Sequence, residues 1–119
     1  MRVSNIILRV TDMEQSVRFY RDEVGLPLLS QSPTFSFFDG GSIPIALNQA
    51  GDLAPDESLT EIVLEVDDVE AAHRAMSLRG VEFRIAPRAV MSDGSRSLYA
   101  GDFADPDGHI VSITGWVAG

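Results

Sequence analysis

Residues Ser4–Arg18, SNIILRVTDMEQSVR, and residues Thr60–Arg74, TEIVLEVDDVEAAHR, are two versions of one segment. At an offset of 56 positions (60 minus 4) they coincide at Ile6/Ile62, Leu8/Leu64, Val10/Val66, Asp12/Asp68, Glu14/Glu70 and Arg18/Arg74. Self-similarity at a fixed offset means one supersecondary unit used twice, and that rules out most folds open to a chain of this size. The 119 residues suffice for one core but not for two independent ones, so each half needs the other, or a second chain, to be stable. The same offset makes Asn5 and Glu61 equivalent, on the same face of equivalent strands.

Each copy reads as β-α-β-β-β. The first strand, Val3–Val10, alternates so that Ile6, Leu8 and Val10 face a helix, while Val3, Asn5, Ile7 and Arg9 face away. Thr11 or Asp12 caps a helix with Met13, Val17, Tyr20 and Val24 at helical spacing, and Gly25 follows its end. Strands are expected at Leu28–Gln31, Phe35–Phe38 and Ile43–Asn48, with Asp39-Gly40-Gly41 as a hairpin turn. A linker at Ala50–Ser58 separates module one (1–49) from module two (59–119). In the second copy Ile62, Leu64 and Val66 face the helix, and Glu61, Val63 and Glu65 the other side. Asp67 or Asp68 caps a helix through Val69, Ala72 and Met76 that ends at Gly80. Strands are then expected near Val81–Ile85, Ser97–Phe103 and Ile110–Thr114, the last two joined by an Asp105-Pro106-Asp107-Gly108 turn. The fold class is α+β: two tandem βαβββ modules, helices outside and curved mixed sheets free to line a cavity.

Composition narrows the function classes. A net charge of −9 disfavours nucleic acid, whose phosphates need a basic footprint, and favours cationic over anionic ligands. With no Cys there is no disulfide, cysteine-ligated zinc or thiol nucleophile. No apolar run reaches membrane-spanning length and Met1–Val10 does not read as a signal segment, so the expectation is a cytoplasmic protein without a membrane partner. No nucleophile elbow accompanies Ser, His and Asp, and no phosphate-cradling glycine motif is present.

Four landmarks in order, namely the first strand, then the segment DMEQSVRFYRDEVGLPL, then a second segment DDVEAAHRAMSLRGVEF and then a late FADPDGHIVSI, resemble the vicinal oxygen chelate superfamily. That superfamily includes glyoxalase I, bleomycin resistance proteins and extradiol dioxygenases. The resemblance implies that metal-binding members place His or Glu ligands at positions corresponding to Asn5, Ala46 (or Asn48 if the register slips by two), Glu61 and Ser112. A catalytic divalent metal needs at least three good donors, and only Glu61 is strong. His73, in the second helix, and His109, at the DPDG turn, do not rescue the set. The expectation is therefore no cofactor; a hard-cation site from Glu61, Asn5 and nearby carbonyls is the dissenting reading.

The candidate ligand-binding residues are Asn5, Arg9, Phe35, Phe37, Phe38, Ala46, Glu61, Glu65 and Ser112. Glu61 reads equally as an anchor for a cationic group or metal-free base, and as a solvated strand carboxylate. Arg9 and Glu65, related by the same offset, are expected to form a salt bridge; otherwise Arg9 is an anion contact. Phe35, Phe37 and Phe38 include consecutive residues, so one strand shows aromatics on both faces and part of the series walls the cavity. Asp105 and Asp107 belong to a turn, and Trp116, after the last strand, covers a cavity mouth or a subunit boundary. The reading is a metal-free small-molecule binding protein of the bleomycin-resistance type, taking a cationic or aromatic ligand in a groove between modules. The resemblance implies a homodimer. The alternatives are a glyoxalase-like lyase or isomerase, or a dioxygenase, that uses a metal or Glu61 as base, and a regulatory or accessory domain whose groove binds a peptide or partner protein.

Overall fold

The computed structural model describes residues 1–50, 59–106 and 108–119. The linker expected at 50–58 lies, beyond Ala50, outside the described residues, as does Asp107. Among those described, eight strands and two α-helices form an α+β chain of two compact units, Ser4–Glu61 and Met1–Val3 with Ile62–Gly119.

In the Ser4–Glu61 unit, β1 (Arg2–Val10) leads through the Asp12 cap to α1 (Met13–Arg18). The Asp12 carboxylate accepts the Gln15 N–H at 3.1 Å, satisfying one of the donors a helix start leaves open. Instead of continuing as the single α-helix expected, the chain widens into a π-helical segment, Phe19–Val24. Gly25, at φ +92°, ends it in the left-handed region where a side chain is disfavoured. β2 (Leu28–Gln31), β3 (Phe35–Asp39) and β4 (Pro44–Gln49) follow, and the strand order is β2-β3-β4-β1, with β4 parallel to β1 and the other pairs antiparallel. The core lies between α1 and one sheet face: Met13, Val17, Phe38 and Leu47, with Leu8, Val10, Tyr20 and Ile45 packed around them. The Gln49 side chain pins the helix start, accepting the Met13 N–H at 2.8 Å and donating to the Thr11 carbonyl at 2.7 Å.

The second unit repeats the plan. β5 (Thr60–Glu65) leads through the Asp68 cap, which accepts the Ala71 N–H at 3.0 Å, to α2 (Val69–Leu78). Strands β6 (Phe83–Ser92), β7 (Arg96–Ala104) and β8 (Ile110–Ala118) are arranged β5-β8-β7-β6. Its core is Val66, Val69, Met76 and Ile113, with Leu64, Ala72, Phe83, Tyr99 and Phe103 around it. Ile62, expected to face the helix with Leu64 and Val66, is instead 40% exposed.

Two strands run further than expected. β6 passes through Pro87 to Ser92 because it is the terminal strand of this unit, where a residue without an N–H breaks no ladder bond to a further neighbour. Its pairing with β7 shifts register on both sides of that proline. β8 continues to Ala118, so Trp116 lies inside the strand, paired with Leu98, and not after it. The Arg96 guanidinium sits 4.0 Å above the Trp116 ring. Among the described residues no helix is long and apolar enough to cross a membrane.

Candidate functional site

Strand parity places the candidates. In the Ser4–Glu61 unit the core takes Leu8 and Val10 of β1, Ile45 and Leu47 of β4 and Phe38 of β3. The alternate residues therefore share the opposite face. The register lines them up in two rows across three strands: Arg9–Asn48–Phe35 and Ile7–Ala46–Phe37. Phe35 and Phe37 stack with centroids 5.9 Å apart and planes 16° from parallel, and both are half-buried. Asn5 continues the face along β1, and its carboxamide oxygen accepts the Ser4 hydroxyl at 3.1 Å.

Glu61, at the start of β5, completes this face. Arg9 Nη2 lies 3.3 Å from Glu61 Oε1, with the two side chains only 22% and 17% exposed. This corrects the expected pairing of Arg9 with Glu65. The Arg9 N–H donates to the Leu59 carbonyl at 2.8 Å, so Arg9 sits beside the first residues of β5. Glu65 lies four residues beyond Glu61 on β5, about 13 Å of extended chain. Its carboxylate is 3.0 Å from Arg2 Nη2 on a far more open surface, 75% and 36% exposed. Arg2 precedes the repeat window at Ser4, and no pattern in the sequence marked it.

One other candidate is placed differently from the expectation. Phe38 is fully buried in the core, tilted against Tyr20 at 5.9 Å, and walls no cavity. It is offset by one residue from Phe37, and one residue reverses the face. Ala46 belongs to the shared face and is fully covered. Ser112 is 5% exposed on β8 of the other unit, opposite Asp102 of β7. A cationic ligand held by Glu61 and Glu65 alone fits poorly, because both carboxylates already face an arginine.

The donor set at the four family positions does not fit a catalytic divalent metal. Ala46 has no donor, Asn5 and Ser112 offer neutral oxygens, and the Glu61 carboxylate faces a guanidinium. Among the described residues no three His, Asp or Glu side chains cluster closely enough to share an ion. His73 packs edge-on against Phe83 at 4.4 Å, while the His109 N–H donates to the Asp105 carboxylate at 2.8 Å within the turn. Asp105 is thus a turn residue, as its spacing implied.

Two open clefts lie away from these rows. One of about 520 Å³ runs past Asp12, Glu14, Gln31 and Gln49, and one of about 540 Å³ lies between α2 and β6 at Glu70, His73, Arg74 and Pro87.

A sequence profile of the Glyoxalase/Bleomycin resistance protein/Dioxygenase superfamily matches residues 2–113. The chain belongs to this superfamily. Among glyoxalase-superfamily relatives, "Metallothiol transferase FosB" of Staphylococcus haemolyticus (strain JCSC1435) is 30% identical over 115 residues, covering 93% of this chain and 81% of the relative. The protein of the same name from Staphylococcus epidermidis (strain ATCC 12228 / FDA PCI 1200) is 29% identical over 117 residues, with 93% and 79% coverage. A solved superfamily member from Vibrio splendidus 12B01 superposes with a TM-score of 0.78 at 18% identity over 98% of both chains, which establishes the shared fold.

Proposed function

We propose that this chain is a small-molecule binding protein of the glyoxalase/bleomycin-resistance type that holds its ligand without a catalytic metal. The observation that carries the reading is the Arg9–Glu61 ion pair. The one residue at the family positions able to bind a transition metal strongly faces a guanidinium, and an arginine cannot be deprotonated to make way. Around the pair, Phe35 and Phe37 supply aromatic wall, and Asn5 and Asn48 supply amides. The reading includes a homodimer in the cytoplasm, and a role in antibiotic resistance by sequestration.

The test is metal analysis of protein purified without chelators and resupplied with nickel, zinc, iron and manganese. Less than about a tenth of an equivalent is expected, since a lone carboxylate does not hold a transition metal against water. Stoichiometric metal that disappears in Glu61→Gln would overturn the reading. Light scattering at two concentrations checks the dimer.

A second reading, a metal-dependent enzyme, draws on the similarity to FosB, whose name describes a metallothiol transferase. It predicts turnover that requires both a divalent metal and a thiol. Turnover with a thiol but no metal, abolished by Glu61→Gln, would instead favour Glu61 as a base.

A further inference from the structure

We propose a separate binding site, on the helix side of the Ser4–Glu61 unit, for a small organic cation of the quaternary ammonium class. The rings of Phe19 and Tyr20 form its aromatic corner, and the Glu23 carboxylate supplies the counter-charge. The site lies on the opposite side of the sheet from the Arg9–Glu61 rows and does not depend on the reading given for them.

A cleft of about 290 Å³ is lined by Val10, Gln15, Ser16, Phe19, Tyr20 and Glu23. Its aromatic corner comes from the widening of the helix. Past Arg18 the chain is π-helical, and the Gly25 N–H donates to the Tyr20 carbonyl five residues back at 3.1 Å. A wider turn rotates less per residue than an α-helix, so consecutive side chains diverge less. Phe19 and Tyr20, adjacent in sequence, meet edge to face with centroids 5.1 Å apart and planes at 88°. Tyr20 is held from behind by the core, its ring 5.9 Å from that of Phe38, while Phe19 is 46% exposed. One wall of the corner is therefore fixed before a ligand arrives, and the other is open to it.

The lining selects the ligand. Two perpendicular ring planes offer a cation two negative faces at once. Among the described residues that line the cleft, Glu23 alone is charged. Its carboxylate makes no ion pair with the described residues, whereas its neighbours Arg21 and Asp22 pair with each other at 2.7 Å. Ring faces and carboxylate together repel an anion, and the net charge of −9 favours approach of a cation. A ring face accepts no strong hydrogen bond, so a primary ammonium gives up water there that nothing replaces. A quaternary ammonium has no N–H to strand. Gln15 and Ser16 can hydrogen-bond a hydroxyl carried beside the charge. Sites for drug-sized molecules run to about 300–1,000 Å³, so a cleft of this volume takes a small molecule.

The experiment follows backbone amides of the labelled protein by proton–nitrogen NMR during titration with choline chloride at constant ionic strength. Two probes serve as controls. In 3,3-dimethyl-1-butanol a carbon replaces the ammonium nitrogen of choline and the shape is kept; ethanolamine is a primary ammonium. Choline is expected to bind about tenfold more tightly than either, shifting amides of Gln15, Ser16 and the π-helical segment and sparing those of Arg9, Phe35 and Phe37. Phe19→Leu and Glu23→Gln should each weaken choline binding by about threefold or more. Both positions are exposed, so each variant should fold, which its own spectrum checks. Tyr20→Phe keeps the ring and should leave the affinity within about twofold. The inference is overturned if choline shifts none of these amides at about 50 mM, or if the neutral isostere binds within about twofold of choline. It is equally overturned if the shifts fall on the Phe35–Phe37 face, or if Phe19→Leu and Glu23→Gln leave the affinity unchanged.

Discussion

A double-mutant cycle on Arg9 and Glu61 tests the site most directly. At 3.3 Å the gross attraction of two unit charges is about 5 kcal/mol at an effective dielectric of 20. Both side chains are about four-fifths covered, and desolvation cancels much of that attraction. The contact is also longer than the usual charge-assisted bond of about 2.7–2.9 Å. A net coupling of about 1–2 kcal/mol remains. Each side chain has further interactions, so the cost of a single substitution mixes several contacts and only the coupling isolates this pair. The assay is urea unfolding of wild type, Arg9→Gln, Glu61→Gln and the double variant at pH 7, in low and in high salt. Each single variant should lower the midpoint by about 1 M, and the double variant by clearly less than the sum. The coupling should survive high salt, because a covered pair is poorly screened. The open Arg2–Glu65 pair is the internal control, with coupling below about 0.5 kcal/mol that salt removes. Single costs that add within about 0.3 kcal/mol would refute the idea that these two side chains act as a unit.

Phe38→Ala should cost about 3–5 kcal/mol in unfolding experiments, and Phe37→Ala about 1 kcal/mol, because only Phe38 is enclosed in the core. The reverse order would mean that β3 is rotated by one residue. Gly101→Ala should destabilise by about 1–3 kcal/mol, since the added Cβ would lie 2.7 Å from Pro87 N and 2.8 Å from the Ile85 carbonyl oxygen. An unchanged melting temperature would count against so close an approach of β6 and β7. The Asp93 carboxyl is held well below the ordinary carboxylate range by the backbone N–H groups of Arg96 and Ser95 and by the Arg96 guanidinium. A depressed carboxyl stabilises the fold fully above the ordinary value of 3.8, and the contribution is lost as pH falls from there toward the lower folded value. The stability gap between wild type and Asp93→Asn should therefore narrow between pH 5 and pH 3 in urea titrations; a gap that widened would reverse the sign.

Much of the fold was legible because its signals are local. Alternation marked Leu8, Val10, Leu64 and Val66 as facing the helices, and of the cap pairs Thr11 or Asp12 and Asp67 or Asp68 the structure uses Asp12 and Asp68. The site was legible only as a list of residues. Phe37 and Phe38 are neighbours in sequence, and which of them enters the core depends on strand parity set by the packing of α1. Ile62 shows the converse: it repeats Ile6 by pattern yet stays 40% exposed. The strand expected near Val81–Ile85 runs instead from Phe83 through Pro87 to Ser92, and only the strand order reveals that β6 is at an edge, where a proline is tolerated.

The sequence by itself determined a duplicated βαβββ scaffold, where its two helices start and the poverty of metal donors at Asn5, Ala46 and Ser112, since these follow from residue type and short-range spacing. Only the tertiary structure decided that Arg9 meets Glu61 and leaves Glu65 to Arg2. Arg9 meets Glu61 in the register that its own N–H bond to the Leu59 carbonyl fixes, and along a strand each two-residue step carries a carboxylate about 7 Å further on. An offset of 56 in the sequence carries no information about that register.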